Sequence, residues 1–284
     1  MDPFALPLGL GTVLFGDRIN EKDAHRQLEL FTDAGGQLVD TARCYGAWAA
    51  NGQGYQGMVE QVLGRWLKEP DHRRRVFVCT KGAHPLPESM GQMRVTPGAI
   101  LSDLEQSLRN LQTDHIDLYL LHRDDISQPI EPLLETLEDA AKAGKLLQYG
   151  CSNWTLPRIQ EAQAIAEAHG WQGFAADQVQ WSLAQANAEA IPDKTLVLMD
   201  QSLYDYHRST GLPLMAYTSL AHGYLLRRAT GVPVSDALHR QYDNSANEAL
   251  LEQIRRYHAD PLALSLRYIV RQPFPAVPLA AFSS

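Results

Sequence analysis

Cysteine is scarce in this chain, with Cys44, Cys79 and Cys151 as the whole supply. An odd, widely spaced trio argues against a disulfide framework and against a zinc knuckle, and it points to a reducing compartment. Basic charge is also short. Against 33 Asp and Glu stand 25 Lys and Arg, a formal net charge of -8, and the basic residues are scattered apart from Arg73-Arg74-Arg75. Such a chain repels phosphate backbones, so nucleic acid is not an expected partner. No apolar run approaches the ~18 residues of a spanning helix, and Met1-Asp2-Pro3 opens no basic stretch followed by an apolar one, as an export signal would. The protein is therefore expected to be soluble, to have no membrane partner and to stay in the cytoplasm. A Gly-x-Gly-x-x-Gly turn is missing too, because Gly9, Gly11 and Gly16 follow the first apolar run at the wrong spacing.

What the chain does have is material for a core. It is 284 residues long, 45% hydrophobic and 20% charged, enough to bury about three quarters of the surface that the unfolded chain exposes. Short apolar runs recur along it: 6–11, 38–42, 76–80, 116–121, 146–151, 175–179, 212–217 and 276–280. They lack polar alternation, as parallel strands covered on both faces do. The segments between them read as helical crossovers. Ile100, Leu101, Leu104, Leu108 and Leu111 recur at helical spacing behind Thr96-Pro97, where Thr suits the N-cap and Pro the first helical position. Leu133, Leu134, Leu137, Ala140 and Ala141 form a second stripe that Gly144 ends as a left-handed cap. A third follows Thr155 and stops at Gly170, and an earlier one through Ala24, Leu28 and Phe31 stops near Gly35-Gly36. No linker or low-complexity stretch interrupts the rhythm, so residues 1–284 read as one domain. Eight strand-helix units can close as a (β/α)8 barrel or lie open as a doubly wound sheet. Without the dinucleotide fingerprint, the α/β class resolves to the (β/α)8 TIM barrel.

In a barrel the chemistry sits at the carboxyl ends of the strands. Asp40 ends the second run, Tyr45 follows five residues on, Lys81 ends the third and His122 the fourth, while Asn153 ends the fifth and Gln178 lies in the sixth. A charge at a buried mouth costs several kcal/mol unless paired, which makes Asp40 and Lys81 natural partners. Each residue also has a plain structural role: a turn cap for Asp40, a hydrogen-bonded core histidine for His122, the first solvated position after a strand for Lys81, a packing ring for Tyr45. Four of them on one mouth point instead to a site.

The residues Gly9-Leu10-Gly11-Thr12, Val39-Asp40-Thr41-Ala42-x-x-Tyr45-Gly46, Thr80-Lys81-Gly82 and Leu121-His122-Arg123-Asp124 resemble the aldo-keto reductases. So, in order and spacing, do Tyr149-Gly150-Cys151-Ser152-Asn153-Trp154, Gln178-Val179-Gln180-Trp181 and Ala216-Tyr217-Thr218-Ser219-Leu220-Ala221-x-Gly223. The resemblance implies an enzyme, an NADPH-dependent reductase passing a hydride to an aldehyde or ketone, with NAD left open. It implies catalytic roles for Tyr45 as general acid, Lys81 lowering its pKa, Asp40 holding Lys81 and His122 orienting the carbonyl. Ser152, Asn153 and Gln178 would grip the nicotinamide carboxamide and Tyr217 would stack on its ring. Gly11, Thr12 and Asp40 would lie along the cofactor, with Thr218, Ser219, Leu220 and Gly223 beside the pyrophosphate. Ser283 would belong to the last phosphate loop.

Three departures from that pattern carry expectations of their own. Only seven residues precede Leu8-Gly9, so the barrel floor is expected to be barer than usual. The loop from Gly46 to Gly57 is enlarged and should overhang the site, offering Trp48 and Tyr55, beside His122, to the substrate. The chain stops at Ser284 just after the eighth strand, so the family's final helix is expected to be missing. Competing readings are a cofactor-sensing or regulatory subunit on the same fold, a Schiff-base aldolase using Lys81 and a kinase-like centre at His122-Arg123-Asp124, which lacks the other kinase motifs. A metal enzyme built on His84 and His122 lacks a third ligand at a convincing spacing, so no metal is expected. The sequence leaves the oligomeric state and the substrate's identity open.

Overall fold

Side chains alternate faces along a strand, and in this protein that alternation separates two cores. The computed structural model describes residue 4, residues 7–49, residue 52 and residues 54–282. Eight parallel strands close into a barrel in sequence order: β1 Gly9–Gly11, β2 Leu38–Asp40, β3 Phe77–Gly82, β4 Ile116–Leu121, β5 Leu146–Ser152, β6 Asp177–Gln180, β7 Leu214–Tyr217 and β8 Ala276–Ala280. Pairing of β1 with β8 completes the ring. Every apolar run read as a strand overlaps one.

Leu38, Cys79, Leu118, Leu120, Ala176, Met215, Val277 and Leu279 cluster inside the barrel. Val39, Val78, Tyr119, Leu121, Tyr149, Val179, Leu214 and Ala216 belong to the larger cluster under the helices. Apolar residues on both faces explain why the runs showed no alternation. The inward set then makes the position of the site a matter of counting. Two residues beyond Leu38 lies Asp40, beyond Cys79 Lys81, beyond Leu120 His122, beyond Ala176 Gln178 and beyond Met215 Tyr217, so the next inward layer at the carboxyl end is polar. At the opposite end Phe4 is buried and meets Phe77 edge-on at 6.4 Å. The floor, expected to be barer than usual, holds at least this aromatic pair.

The helices follow the cues that preceded them. Helix α1 (Glu21–Asp33) is capped by Asn20, which accepts from the Asp23 amide at 3.0 Å. Helices α2 (Met58–Leu67) and α3 (Pro70–Arg75) lead into β3. Helix α4 (Pro97–Leu111) has Thr96 as N-cap and Pro at its start, α5 (Ile130–Lys142) is followed by Gly144 at φ 73°, and α6 (Leu156–His169) ends on Gly170 at φ 68°. Helix α7 (Gln201–Thr210) precedes β7. Four helices fill the connection from β7 to β8: α8 (Tyr224–Thr230), α9 (Asp236–Tyr242), α10 (Ser245–Arg256) and α11 (Pro261–Val270). Three of them build a small third core, in which Ala221, Tyr224 and Leu225 pack on Tyr242, Leu251 and Ile254. That core anchors the loop leaving β7. Among the described residues no helix is long and apolar enough to cross a membrane.

The barrel wall is close-packed against backbone at Gly150 in β5. A Cβ there would sit 2.3 Å from the Ala176 carbonyl oxygen and 2.8 Å from a Leu120 methyl. Gly150→Ala must push two strands apart, and overpacking of this kind costs about 1–3 kcal/mol. Urea denaturation should show that loss as a lower midpoint with an unchanged slope, and a variant as stable as the parent would show that the wall yields at no cost.

Candidate active site

Lys81 brings the polar layer together. It is 1% exposed, its chain reaching across the barrel from β3 to Asp40 on β2. Its Nζ donates to Asp40 Oδ2 at 2.8 Å, to the Thr41 carbonyl at 2.8 Å and to the Tyr45 hydroxyl at 3.4 Å. The second Asp40 oxygen accepts from Gln178 Nε2 at 2.9 Å. Thr12 donates its hydroxyl and its backbone N–H to the Asp40 carbonyl, at 2.9 and 3.0 Å. Both charges are thus fully dressed, which is what permits them in the interior.

Electrostatics follow from the same contacts. Burial works against the Lys81 ammonium, but the carboxylate of Asp40, helped by Tyr45 and Cys79, overrides it and holds the amine above its ordinary pKa. Burial pushes the Tyr45 phenol up to about 12, with Lys81 pulling the other way. Lys81 lowers the phenol's pKa, the direction expected from the sequence, but burial raises it by more. His122 is held well below the usual imidazole value by burial and then by the nearby charges of Arg123 and Lys81. It is a neutral imidazole at neutral pH.

His122 meets Tyr45 edge-on with ring centroids 6.1 Å apart. Its Nδ1 lies 3.5 Å from Cys44 Sγ, and its ring lies 4.8 Å from that of His84. Trp48 in turn packs on His84 at 5.6 Å. Cys44 and the orienting Arg123 are the partners sequence reasoning passed over. Arg123 donates to the His122 carbonyl at 2.9 Å and is paired with Asp193 at 3.1 Å. The only signal for Cys44 was its place beside Tyr45. It is also the third potential ligand that spacing along the chain did not reveal next to His84 and His122.

Of the residues assigned to a cofactor, Gly11, Thr12, Asp40, Tyr217, Thr218, Ser219 and Leu220 line one cavity of about 320 Å³, together with Tyr45. Thr218, Ala221, His222 and Gly223 all have positive φ, so the backbone after β7 curls into the kind of concavity that presents N–H groups to anions. The Ser219 hydroxyl ties this loop to the barrel by donating to the Leu279 carbonyl at 2.6 Å. Gln178, Ser152 and Asn153 form a separate chain of bonds behind it. Ser152 donates to the Gln178 carbonyl at 2.9 Å, and Asn153 Nδ2 donates to Ser152 Oγ at 3.0 Å. Asn153 Oδ1 accepts from the Tyr217 hydroxyl at 2.7 Å and from the Val197 amide at 3.1 Å. Its side chain thus links β5 to the ring on β7. A small cleft lined by Gly, Thr, Ser and Ala, an aromatic wall at Tyr217 and an anion-shaped loop fit a nicotinamide dinucleotide.

One assigned residue falls elsewhere. Tyr55 lines a different cavity, of about 480 Å³, with Arg43, Leu86 and Arg94, and its hydroxyl donates to Gln61 at 2.8 Å. The large loop therefore divides: Trp48 leans toward His122 through His84, while Tyr55 turns away. Ser283 lies outside the described residues. A larger cavity, about 1100 Å³ around Trp181, Tyr204 and Tyr268, contains none of the assigned residues.

A sequence model of the Aldo/keto reductase family matches residues 7–284. The chain belongs to the aldo/keto reductase family, a family of oxidoreductases. It is similar to the "Uncharacterized oxidoreductase YrpG" of Bacillus subtilis (strain 168), 33% identical over 223 residues that cover 77% of this chain and 64% of that protein. It is also similar to "Protein tas" of Escherichia coli (strain K12), 28% identical over 301 residues, 95% of this chain and 83% of that one. "Aldo-keto reductase YhdN" of Bacillus subtilis (strain 168) is 26% identical over 283 residues, 94% and 78% of the two chains.

The ion pair gives this aldo/keto reductase a testable weak point. Lys81→Met leaves the Asp40 carboxylate buried without its charged partner, and breaking such a pair from one side costs about 3–5 kcal/mol. Adding Asp40→Leu removes the stranded charge and should return much of that stability. Denaturation midpoints of the two single variants and the double variant check this, and a double variant that lost the sum of both single effects would contradict it.

Proposed function

We propose that the protein reduces a small aldehyde or ketone with NADPH as hydride donor, in the cytoplasm. The observation that carries the reading is the Asp40, Lys81, Tyr45 chain of contacts on the wall of the 320 Å³ cavity. Reduction of a carbonyl needs a proton at its oxygen, and a phenol beside an ammonium can give one, because the cation stabilises the phenolate left behind. Tyr45 donates that proton. Lys81 faces the resulting charge from 3.4 Å, and Asp40 keeps Lys81 in place and charged. His122, as a neutral imidazole, offers a hydrogen bond to the carbonyl oxygen and fixes its direction.

Nicotinamide supplies the hydride when bound. The chain's own contribution is placement: Tyr217 presents its ring to one face of the nicotinamide, and Ser152, Asn153 and Gln178 hold its carboxamide. The Asn153 side chain is bonded on both sides, its oxygen to Tyr217 and Val197 and its nitrogen to Ser152 and His122, so holding the carboxamide exchanges some of these bonds for bonds to the nicotinamide. Gly11, Thr12 and the loop of Thr218, Ser219, Leu220 and Gly223 follow the dinucleotide toward its phosphates. The choice of NADPH over NADH follows the commoner habit of the family, and Trp48 supplies an apolar wall for the substrate.

Mixing the purified protein with NADPH, and separately with NADH, and following nicotinamide absorbance over a panel of aldehydes and ketones tests class and cofactor together. Turnover with NADPH is expected. Binding of the nucleotide without turnover of any carbonyl would instead favour a sensing role. The pH profile carries a further expectation. Tyr45 must be protonated to donate, and its raised pKa keeps it so at every pH below about 12. The reductive kcat should therefore show no basic limb through the neutral range and up to about pH 10. A basic limb with an apparent pKa near 8 would take the proton-donor role away from Tyr45.

A further inference from the structure

Three metal-ligand side chains meet at the edge of the site in a way the proposed reaction does not require. Cys44 follows β2, His84 follows β3 and His122 follows β4, so three successive loops each contribute one group. All three are buried, and one ligand atom from each lies within 4.8 Å of the other two. Cys44 Sγ and His122 Nδ1 are 3.5 Å apart. That is the spacing two ligands of one tetrahedral ion adopt when metal–sulfur and metal–nitrogen bonds are about 2.3 and 2.0 Å. His84 Nδ1 lies 2.8 Å from the Pro85 carbonyl. Donation to that oxygen fixes the tautomer and leaves Nε2 with its lone pair, the backing by a backbone acceptor that metal-bound histidines usually have.

We propose that Cys44, His84 and His122 form a binding site for a thiophilic divalent cation of the zinc type, and that an ion there occupies the imidazole which orients the carbonyl. The second half rests on the reductase reading, and the first does not. A soft thiolate with two imidazoles is the donor set that zinc and cobalt prefer over the hard cations, which take oxygen. On binding, the Cys44 thiol gives its proton to solvent as the sulfur–metal bond forms, and no electrons change hands. Three protein ligands leave a fourth position for water, as in sites that are open rather than purely structural. The neighbouring cations do not forbid an ion here, because Lys81 is neutralised by Asp40 and Arg123 by Asp193. Trp48, edge-on to His84, closes one side.

Cobalt(II) reads the site directly, because a cobalt–thiolate bond gives a charge-transfer band and tetrahedral cobalt gives intense visible bands, neither of which needs turnover. Titration of the intact protein should produce both with one equivalent of cobalt. Cys44→Ser should abolish the charge-transfer band, and His84→Ala should weaken cobalt binding by more than about tenfold, the scale on which even outer partners of a metal affect affinity. Thermal melts of both variants check that they are folded, and the spectrum of the unsubstituted protein decides the matter even if neither is. No thiolate band in that protein, or folded variants that bind cobalt as it does, would overturn the site. Where the carbonyl panel gives turnover, zinc should inhibit it in competition with the carbonyl substrate, and Cys44→Ser should be at least about tenfold less sensitive. Inhibition that does not compete with substrate would overturn the link to His122 while leaving the reductase reading intact.

Discussion

The buried pair of Lys81 and Asp40 is the constraint around which this barrel mouth is arranged. Both side chains are under 5% exposed, and neither charge could stay in the interior without the other. Meeting that requirement uses three strands and a loop: Asp40 comes from β2, Lys81 from β3 and Gln178 from β6, while Thr12, just past β1, binds the Asp40 carbonyl. The ammonium cannot wander, because the Asp40 oxygen and the Thr41 carbonyl hold it at equal distances of 2.8 Å. Its remaining direction is toward Tyr45. Structural necessity and chemical use therefore meet in one side chain: the charge that the fold must neutralise is the charge that an ionising phenol would need.

The mouth divides into two electrostatic halves. On one side lie the charges of Asp40 and Lys81. On the other lie neutral hydrogen-bonding groups, His122, Asn153, Ser152 and Tyr217, linked to one another and to the loop after β6. The division has a physical cause, since burial and the flanking cations keep His122 uncharged, while only a close carboxylate keeps Lys81 charged. A charged reservoir facing a neutral orienting surface suits a reaction in which negative charge develops on one oxygen and must be met at once by a proton.

Much of this was legible in the sequence because a parallel barrel repeats one local rule. Apolar runs bounded by helix caps marked all eight strands, and Thr96-Pro97, Gly144 and Gly170 marked helix ends where the backbone has no cheaper choice. Asp40, Lys81 and His122 stood out because charge or polarity ended an otherwise buried run. Less legible were features set by contacts distant in sequence. Three of the four helices between β7 and β8 owe their packing to a separate small core, which no single apolar stripe announces. Cys44 reads as an ordinary small residue until the fold brings His84 and His122 beside it, and Tyr55 shares the loop of Trp48 yet faces another cavity. The net balance at Tyr45 was not legible for a similar reason. A neighbouring lysine can be inferred from a motif, but the larger effect, burial, depends on the whole surrounding structure.

The central claim is that Tyr45 gives the proton and Lys81 makes that gift affordable, and replacing each alone and both together tests it most directly. Tyr45→Phe keeps the ring and removes only the hydroxyl, so the nucleotide Kd should hardly move while the reductive kcat falls by about 10² to 10⁴. Lys81→Met should act on the same step, and the double variant should be little slower than the slower single one, as for groups that work as a unit. Near-normal turnover in Tyr45→Phe would contradict the account, and it would move the proton donor to His122.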